Sequence, residues 1–334
     1  MARRQIKIRA MGSYLPVRVV RSEELDAKLG LTPGKLEQMT AVRERRYVSG
    51  EETASKMGAL AAMEALEKAG LRYEDIDAII CGSGTYQQPI PCTAALIQKE
   101  LGKEESGTPC FDVNSTCLSF VVGLDVVSSL IQTERFKRVL LISTEVASVG
   151  LPWHQLEACA LFGDGAVAAV IEKTPENETS QILGAHQITY SSGSDTCQIL
   201  GGGTGIHSRN HAVCEEDKRF LFSMDGRRVF KQASQHLPKF MEDMQKATGV
   251  ALQDYRMVVP HQASGSAMAL MRRKLEIEED RWMDIIATRG NMIAASIPLA
   301  LKTAIDEKRV RRGDRVLMMG TSAGFSIGAI AIEY

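Results

Sequence analysis

The chain repeats its own plan. The segment SKMGALAAMEALEKAGL (55–71) carries apolar residues at helical spacing, stops near Gly70 and gives way to the apolar run IDAIICGSG (76–84). Far downstream, RVFKQASQHLPKFMEDMQKATGV (228–250) stops near Gly249 and gives way to YRMVVPHQAS (255–264). Gly70 and Gly249, Asp75 and Asp254, and Ile79 and Val258 all match at one offset of 179 residues. A helix-then-strand module that recurs after half the chain constrains the fold to two equivalent αβ units.

Looser pieces follow the same period. CLSFVVGLDVVSSLI leading into RVLLISTE resembles MIAASIPLALKTAI leading into RVLMMGTSAG, each a small-residue helix feeding a strand. GDGAVAAVIE (163–172) and GFSIGAIAIEY (324–334) are nearly all apolar, as strands covered on both faces must be. The expectation is an α/β fold of two duplicated halves, 1–175 and 176–334, with small-residue helices at the centre. No Pro/Gly/Ser linker separates the halves, so they should pack as one body. Ser191 to Asp225, rich in Gly, Ser and charge, reads instead as a long surface loop, either a pocket wall or an unstructured excursion.

Forty basic residues against forty-one acidic ones leave a net charge of −1, which gives no global field for nucleic acid or an anionic membrane. The N-terminal MARRQIKIRAMG alternates like a strand, and no apolar run reaches the roughly 20 residues of a membrane span. A cytoplasmic protein is expected. The seven cysteines are an odd number without disulfide-framework spacing, so they should be reduced.

Three residues could carry chemistry. Cys117, in FDVNSTCLSFVVGLDVV, lies where a short strand ends and a small-residue helix begins. Unpaired N–H groups and the positive end of a helix dipole favour thiolate there and could hold an oxyanion; the same residue could simply fill a core gap. His261 follows RMVVP at a strand's carboxyl end, where αβ proteins collect ligands, although a structural imidazole would fit as well. Asn291, in TRGNMIAASIPLALKTAI, opens a helix and could equally be an N-cap. All three stand at element ends that the duplicated plan could bring to one pocket, and a Cys/His/Asn set is chemically complete for acyl transfer followed by condensation.

Other chemistries find less support. His207, His211 and Cys214 lack a fourth zinc ligand, so no metal is expected. The GGGTG at 201–205 has no following Lys-Ser/Thr of a phosphate loop, and no G-x-S-x-G elbow is present.

From these motifs the sequence resembles the thiolase superfamily, and within it the β-ketoacyl-acyl-carrier-protein synthase III branch. The resemblance runs nearly end to end, through MGSYLP, AVRERRYVSGEE, FDVNSTCLSF, LFGDGAVAAV, MDGRRVFKQA, VVPHQAS, GNMIAASIP and GTSAGFSIGA. It implies a five-layer αβαβα fold, a homodimer, no resident cofactor, and acyl-coenzyme A or acyl-carrier-protein thioesters as substrates. It further implies that Cys117 takes an acyl group whose oxygen is held by the N–H groups of Cys117 and Ala323. His261 and Asn291 would then stabilise the enolate formed when malonyl-acyl-carrier protein loses carbon dioxide, and the carbanion would attack the acyl group, giving a 3-oxoacyl thioester.

Departures from the family pattern cluster around substrate access. A Trp and two Arg that commonly clamp coenzyme A correspond to Lys35, Met39 and Leu156, which removes aromatic stacking and guanidinium contact. HQAN reads HQAS, ending at Ser264, and an Arg used in carrier docking corresponds to Ser266; Arg272, Arg273 and Lys274 lie nearby and could substitute or simply be solvated. In TYQQPIPCTAAL (85–96), Ile90 takes a place often held by Phe at the end of the partner's acyl pocket, and Thr321 one where Phe gates the pocket, so a longer or branched acyl chain could fit. These departures leave room for acyl transfer or acyl-acyl condensation in specialised metabolism, or for an inactive dimer partner.

Overall fold

The computed structural model of the chain describes residues 3–207, 209 and 217–334; His211 and Cys214 lie outside them. Two sheets form the frame. The first contains β1 (Ile6–Tyr14), β2 (Ala78–Cys81), β3 (Cys110–Asp112), β4 (Arg138–Glu145) and β5 (Gly165–Lys173) in the order β1-β5-β4-β2-β3. The second contains β6 (Gln181–Thr189), β7 (Met257–Pro260), β8 (Arg315–Ser322) and β9 (Ser326–Glu333) in the order β7-β8-β9-β6. Strand for strand the pairings agree: β1–β5 and β5–β4 are antiparallel and β4–β2 parallel, as β6–β9 and β9–β8 are antiparallel and β8–β7 parallel. Even β3 has a remnant counterpart. It pairs Cys110 with Ile79 in parallel, and the matching Val258 forms an isolated parallel bridge with Trp282.

Alternation along the strands assigns their two faces. In β2, Ala78 and Ile80 join the central core, whereas Ile79 and Cys81 face an outer cluster with the helix α1 (Ala54–Ala69). In β7 and β8, Met257, Val259, Val316 and Met318 face the same central core, while Val258, Leu317 and Met319 pack outward with Leu237, Phe240 and Met244. Those last three lie on helix α3 (Gly226–Thr248). Between the sheets run α2 (Ser119–Gln132) and α5 (Ser296–Asp306), with Phe120, Leu124, Ile297 and Leu301 wholly buried in the central core. The result is five layers, αβαβα. Each fully buried Leu, Ile or Phe side chain stabilises this arrangement by roughly 1.5–3 kcal/mol.

The helix ends are written locally. The Thr53 side chain accepts from the Lys56 N–H to start α1, and Gly70 stops it at φ 63. Asp225 accepts from the Arg228 N–H to start α3, and Gly249 stops it at φ 69. A Cβ on Gly12 would lie 2.2 Å from the Ala61 carbonyl oxygen, so only glycine lets α1 sit this close to β1.

Two expectations are refined. The strand expected over 76–84 ends at Cys81, because Gly82 to Thr85 turn out of the sheet to meet a buried carboxylate described below. The segment from Ser191 to Asp225 is partly regular: Cys197–Gln198 pairs with Ser223–Met224, flanked by short 3₁₀ turns at Ser191–Gly193 and Lys218–Phe220. Among the described residues, no helix is long and apolar enough to cross a membrane.

Candidate active site

Two copies of one backbone elbow meet between the sheets. In the first, Asn114 Oδ1 accepts from the Thr116 N–H at 2.8 Å, Thr116 takes φ 48, a 3₁₀ turn runs Thr116–Leu118, and the Ser115 N–H donates to Ser119 Oγ at 2.9 Å. In the second, Asn291 Oδ1 accepts from the Ile293 N–H at 2.9 Å, Ile293 takes φ 48, a turn runs Ile293–Ala295, and the Met292 N–H donates to Ser296 Oγ at 2.9 Å. Each elbow launches a central helix, so Cys117 and Ala294 hold the same position. Gly84 is the spacer between them: a Cβ there would lie 2.6 Å from Ile293 Cγ2 and 3.2 Å from the Thr116 carbonyl carbon.

His261 enters from the end of β7. Its N–H donates to the Met319 carbonyl at 2.8 Å, and Gly320 lies so close that an added Cβ would be 2.6 Å from His261 Cβ. The next residue, Gln262, is fully buried, donating from Nε2 to the Pro260 and Met283 carbonyls and accepting from the Ile285 N–H at Oε1. Two residues beyond His261, the Ala263 carbonyl accepts from Asn291 Nδ2 at 3.4 Å. A carboxamide has two N–H bonds, so one remains for a substrate. His261 is 5% exposed, its Nδ1 has no hydrogen-bond partner among the described residues, and burial pushes its pKa down to about 4. The ring is neutral at pH 7.

The Cys117 turn packs both on the Asn291 turn and on the end of β8. Thr116 Oγ1 reaches the Ala323 carbonyl at 3.5 Å. The backbone N–H groups of Cys117 and Ala323 lie near the Cys117 sulfur and draw its pKa down. Burial is the larger effect and, with the nearby Glu145 carboxyl, pushes the thiol up to about 12. The position at a helix start had suggested easy ionisation. The structure corrects this, because desolvation of the sulfur outweighs two favourable donors, and the resting cysteine is a neutral thiol.

An apolar cavity of about 140 Å³ opens beside His261, between α3 and α4 (Gly265–Lys274). Val229, Phe230, Ala233, Ala267, Met271 and Thr321 line it. Ile90 does not. It is 84% exposed on its loop, with Tyr86 also exposed.

The remaining expected positions lie on neighbouring helices. The helix Lys35–Thr40, carrying Lys35 and Met39, packs on Leu156–Cys159, and Ala41 abuts Gly265. Ser264 accepts from the Ala267 N–H and caps α4, a local reason for serine there, and Ser266 lies in that helix's first turn. At its far end, Arg272 stands 3.7 Å from Glu279 and Lys274 donates to the Ser234 carbonyl, while Arg273 lies between them. Among the described residues, no group of His, Cys, Asp and Glu could hold a metal ion.

Sequence reasoning missed two residues at this junction. Gln262, adjacent to His261, locks the loop that carries it. Glu145 ends β4 with a wholly buried carboxylate whose partners lie in both halves, and burial pushes its pKa up to about 7 against the pull of the donors around it. Nothing in RVLLISTE marks the carboxylate as other than a strand end.

Comparison with known proteins agrees along the whole chain. The family model described as 3-oxoacyl-[acyl-carrier-protein (ACP)] synthase III matches residues 111–191, and its C-terminal counterpart matches 245–334. The β-ketoacyl-[acyl-carrier-protein] synthase III of Allorhizobium ampelinum is 34% identical over 98% of both chains. That of Aquifex aeolicus is 33% identical over 98% of this chain and 99% of its own. A crystal structure of the Aquifex aeolicus 3-oxoacyl-[acyl-carrier-protein] synthase III superposes with a TM-score of 0.87 at 32% identity, covering 98% of this chain and 100% of the other. The Pseudomonas aeruginosa synthase III superposes with a TM-score of 0.86 at 29% identity, over 99% and 98% of the two chains.

Proposed function

This chain belongs to the 3-oxoacyl-[acyl-carrier-protein] synthase III family, and from that premise we propose how its own residues divide the work. The enzyme is an acyltransferase that condenses an acyl thioester primer with malonyl-acyl-carrier protein, with loss of carbon dioxide. Cys117 is the acyl carrier and His261 and Asn291 are the enolate stabilisers. The observation that carries this assignment is a chain of contacts: the turn that holds Cys117 packs on the turn that Asn291 opens, and the Asn291 carboxamide, with an N–H to spare, reaches the loop of a neutral His261.

In the first step the Cys117 sulfur attacks the primer carbonyl. The oxygen, now negative, turns to the N–H groups of Cys117 and Ala323, which lie near the sulfur. Because the resting thiol is neutral, its proton must leave as the bond forms, and it ends on the departing carrier thiol. In the second step the malonyl C–C bond to the carboxylate breaks and its electron pair moves into the thioester carbonyl. Neutral donors from His261 and Asn291 hold that oxygen without quenching the carbanion. The carbanion then bonds to the acyl carbon, and the sulfur of Cys117 departs as thiolate and takes a proton from water.

Sequence halves 1–175 and 176–334 then have distinct duties: the first supplies the nucleophile, the second the imidazole and carboxamide. The exposed apolar pair Tyr86 and Ile90 fits a face covered by a second copy, so the working form is a homodimer with Ile90 closing the partner's acyl pocket. Lys35, Met39 and Leu156 offer no aromatic or guanidinium clamp, which leaves the choice between coenzyme A and carrier protein to the primer's thioester arm.

The test separates the steps. Incubation with acyl-coenzyme A and acyl-carrier thioesters should add the acyl mass at Cys117, and malonyl-carrier protein should then remove it as a 3-oxoacyl product. Acylation without condensation would replace this reading with simple acyl transfer, and absence of acylation from every donor would indicate an inactive partner.

A further inference from the structure

Glu145 holds a full set of donors and, among the described residues, no cationic partner. Its Oε1 accepts from the Gly84 N–H at 2.6 Å and the Ala294 N–H at 3.3 Å, and its Oε2 from the Thr85 N–H at 2.8 Å and the Thr85 hydroxyl at 2.5 Å. A buried carboxylate without a counter-ion persists only where such donors are fixed in place. It therefore marks three backbone N–H groups whose positions are tightly set.

The duplication shows what those groups are. Glu145 ends β4 as Ser322 ends β8, for both strands begin at an arginine, Arg138 and Arg315, and run eight residues. Beyond Ser322, the Ala323 N–H faces the sulfur of the Cys117 elbow. At the second elbow, Ala294 stands where Cys117 stands in the first, and its N–H is taken by Glu145. One elbow leaves its donors for a reacting oxygen; the other has them occupied by a side chain from the opposite half. The same carboxylate grips Gly84, the spacer wedged between Thr116 and Ile293.

We propose that Glu145 is a positioning residue for the condensation half-reaction, tying the Asn291 elbow to the Gly84–Thr85 turn and so fixing the carboxamide relative to the acyl-cysteine. This rests on the role of Asn291 proposed above. The carboxylate touches no reacting atom. Its charge also raises the pKa of the Cys117 thiol, so its removal should act on the two half-reactions in opposite directions.

The test is Glu145→Gln, which preserves shape but replaces one acceptor oxygen by an amide aimed at N–H donors. Acylation of Cys117, followed by intact mass, should be as fast as in the unaltered protein or faster. Condensation with malonyl-carrier protein should fall by about 30-fold or more, since misplacing a positioned group by about 1 Å costs on the order of 100-fold. Equal loss of both steps, the mark of general loosening, or unchanged condensation would overturn the proposal. Thr85→Val removes one donor and keeps the carboxylate; it should lower condensation by roughly 3-fold or more while sparing acylation. Should Glu145→Gln fail to fold, unchanged condensation in Thr85→Val overturns the proposal by itself. Asn291→Ala run in parallel tells the two failures apart: normal condensation there removes the assigned carboxamide role, whereas a defect there with none in Glu145→Gln removes only the inference about Glu145.

Discussion

The elbow at Cys117 and the elbow at Asn291 share a backbone but not a task. Each opens with an asparagine whose Oδ1 takes the N–H two residues on, passes through a residue at φ 48 and closes on a serine hydroxyl. In the first, the turn presents a sulfur to two N–H groups. In the second, alanine replaces the cysteine, a carboxylate accepts from its N–H, and the opening asparagine itself turns one N–H to the loop of His261. The shared backbone gives two helix starts with donors, and side-chain differences leave a sulfur at one and a carboxylate-bound N–H at the other.

The sharpest break of this comparison is Cys117→Ala, which should abolish acyl loading and lower overall turnover by at least ~10³-fold; a mass adduct elsewhere on the chain would move the nucleophile. Next, His261→Ala should lower condensation by about 10²-fold while sparing acylation, as judged by single-turnover assays of each step. The same histidine gives a pH signature. Its pKa is lowered on folding from about 6.5 to about 4, so the unfolded chain binds the extra proton between those values and stability falls as pH drops below about 6.5. The loss from this group is at most about 1.4 kcal/mol per pH unit, and His261→Ala should remove that slope from urea-unfolding curves taken across the range.

A paired substitution sharpens the comparison further. Asn114→Ala removes an exposed hydrogen bond to an elbow N–H and should cost at most about 1 kcal/mol of stability, whereas Asn291→Ala removes a half-buried one together with the bond to Ala263 and should cost about 1 kcal/mol or more. Only Asn291→Ala should also depress condensation with acylation intact. The smallest effect is at the closing serines: Ser296→Ala should destabilise by about 1 kcal/mol and Ser119→Ala by somewhat more, because Ser119 Oγ also lies within donating distance of the Thr116 and Ser83 carbonyls; a larger drop in thermal midpoint for Ser296→Ala would contradict the comparison.

What could be read without coordinates was what local pattern encodes. Helical spacing with Gly70 and Gly249 as stops located α1 and α3, and continuous apolar runs located strands buried on both faces. Cys117, His261 and Asn291 were visible as element ends. The thiol's state was misread because a helix start is a local feature, while the burial that overrides it comes from elements more than a hundred residues away. Glu145 was invisible for the same reason, since its donors lie about 60 and 149 residues along the chain. The two short strands within Ser191–Asp225 also escaped, because two-residue pairing leaves no periodicity to count.

The most direct trial is a time course of intact and peptide mass on the unaltered protein, first with acyl-thioester donors and then with malonyl-carrier protein. An acyl adduct on the Cys117 peptide, disappearing at the rate at which 3-oxoacyl product forms, is the result predicted. Product formed while Cys117 stays unmodified throughout, or an adduct that persists unchanged after malonyl-carrier protein is added, would contradict the account.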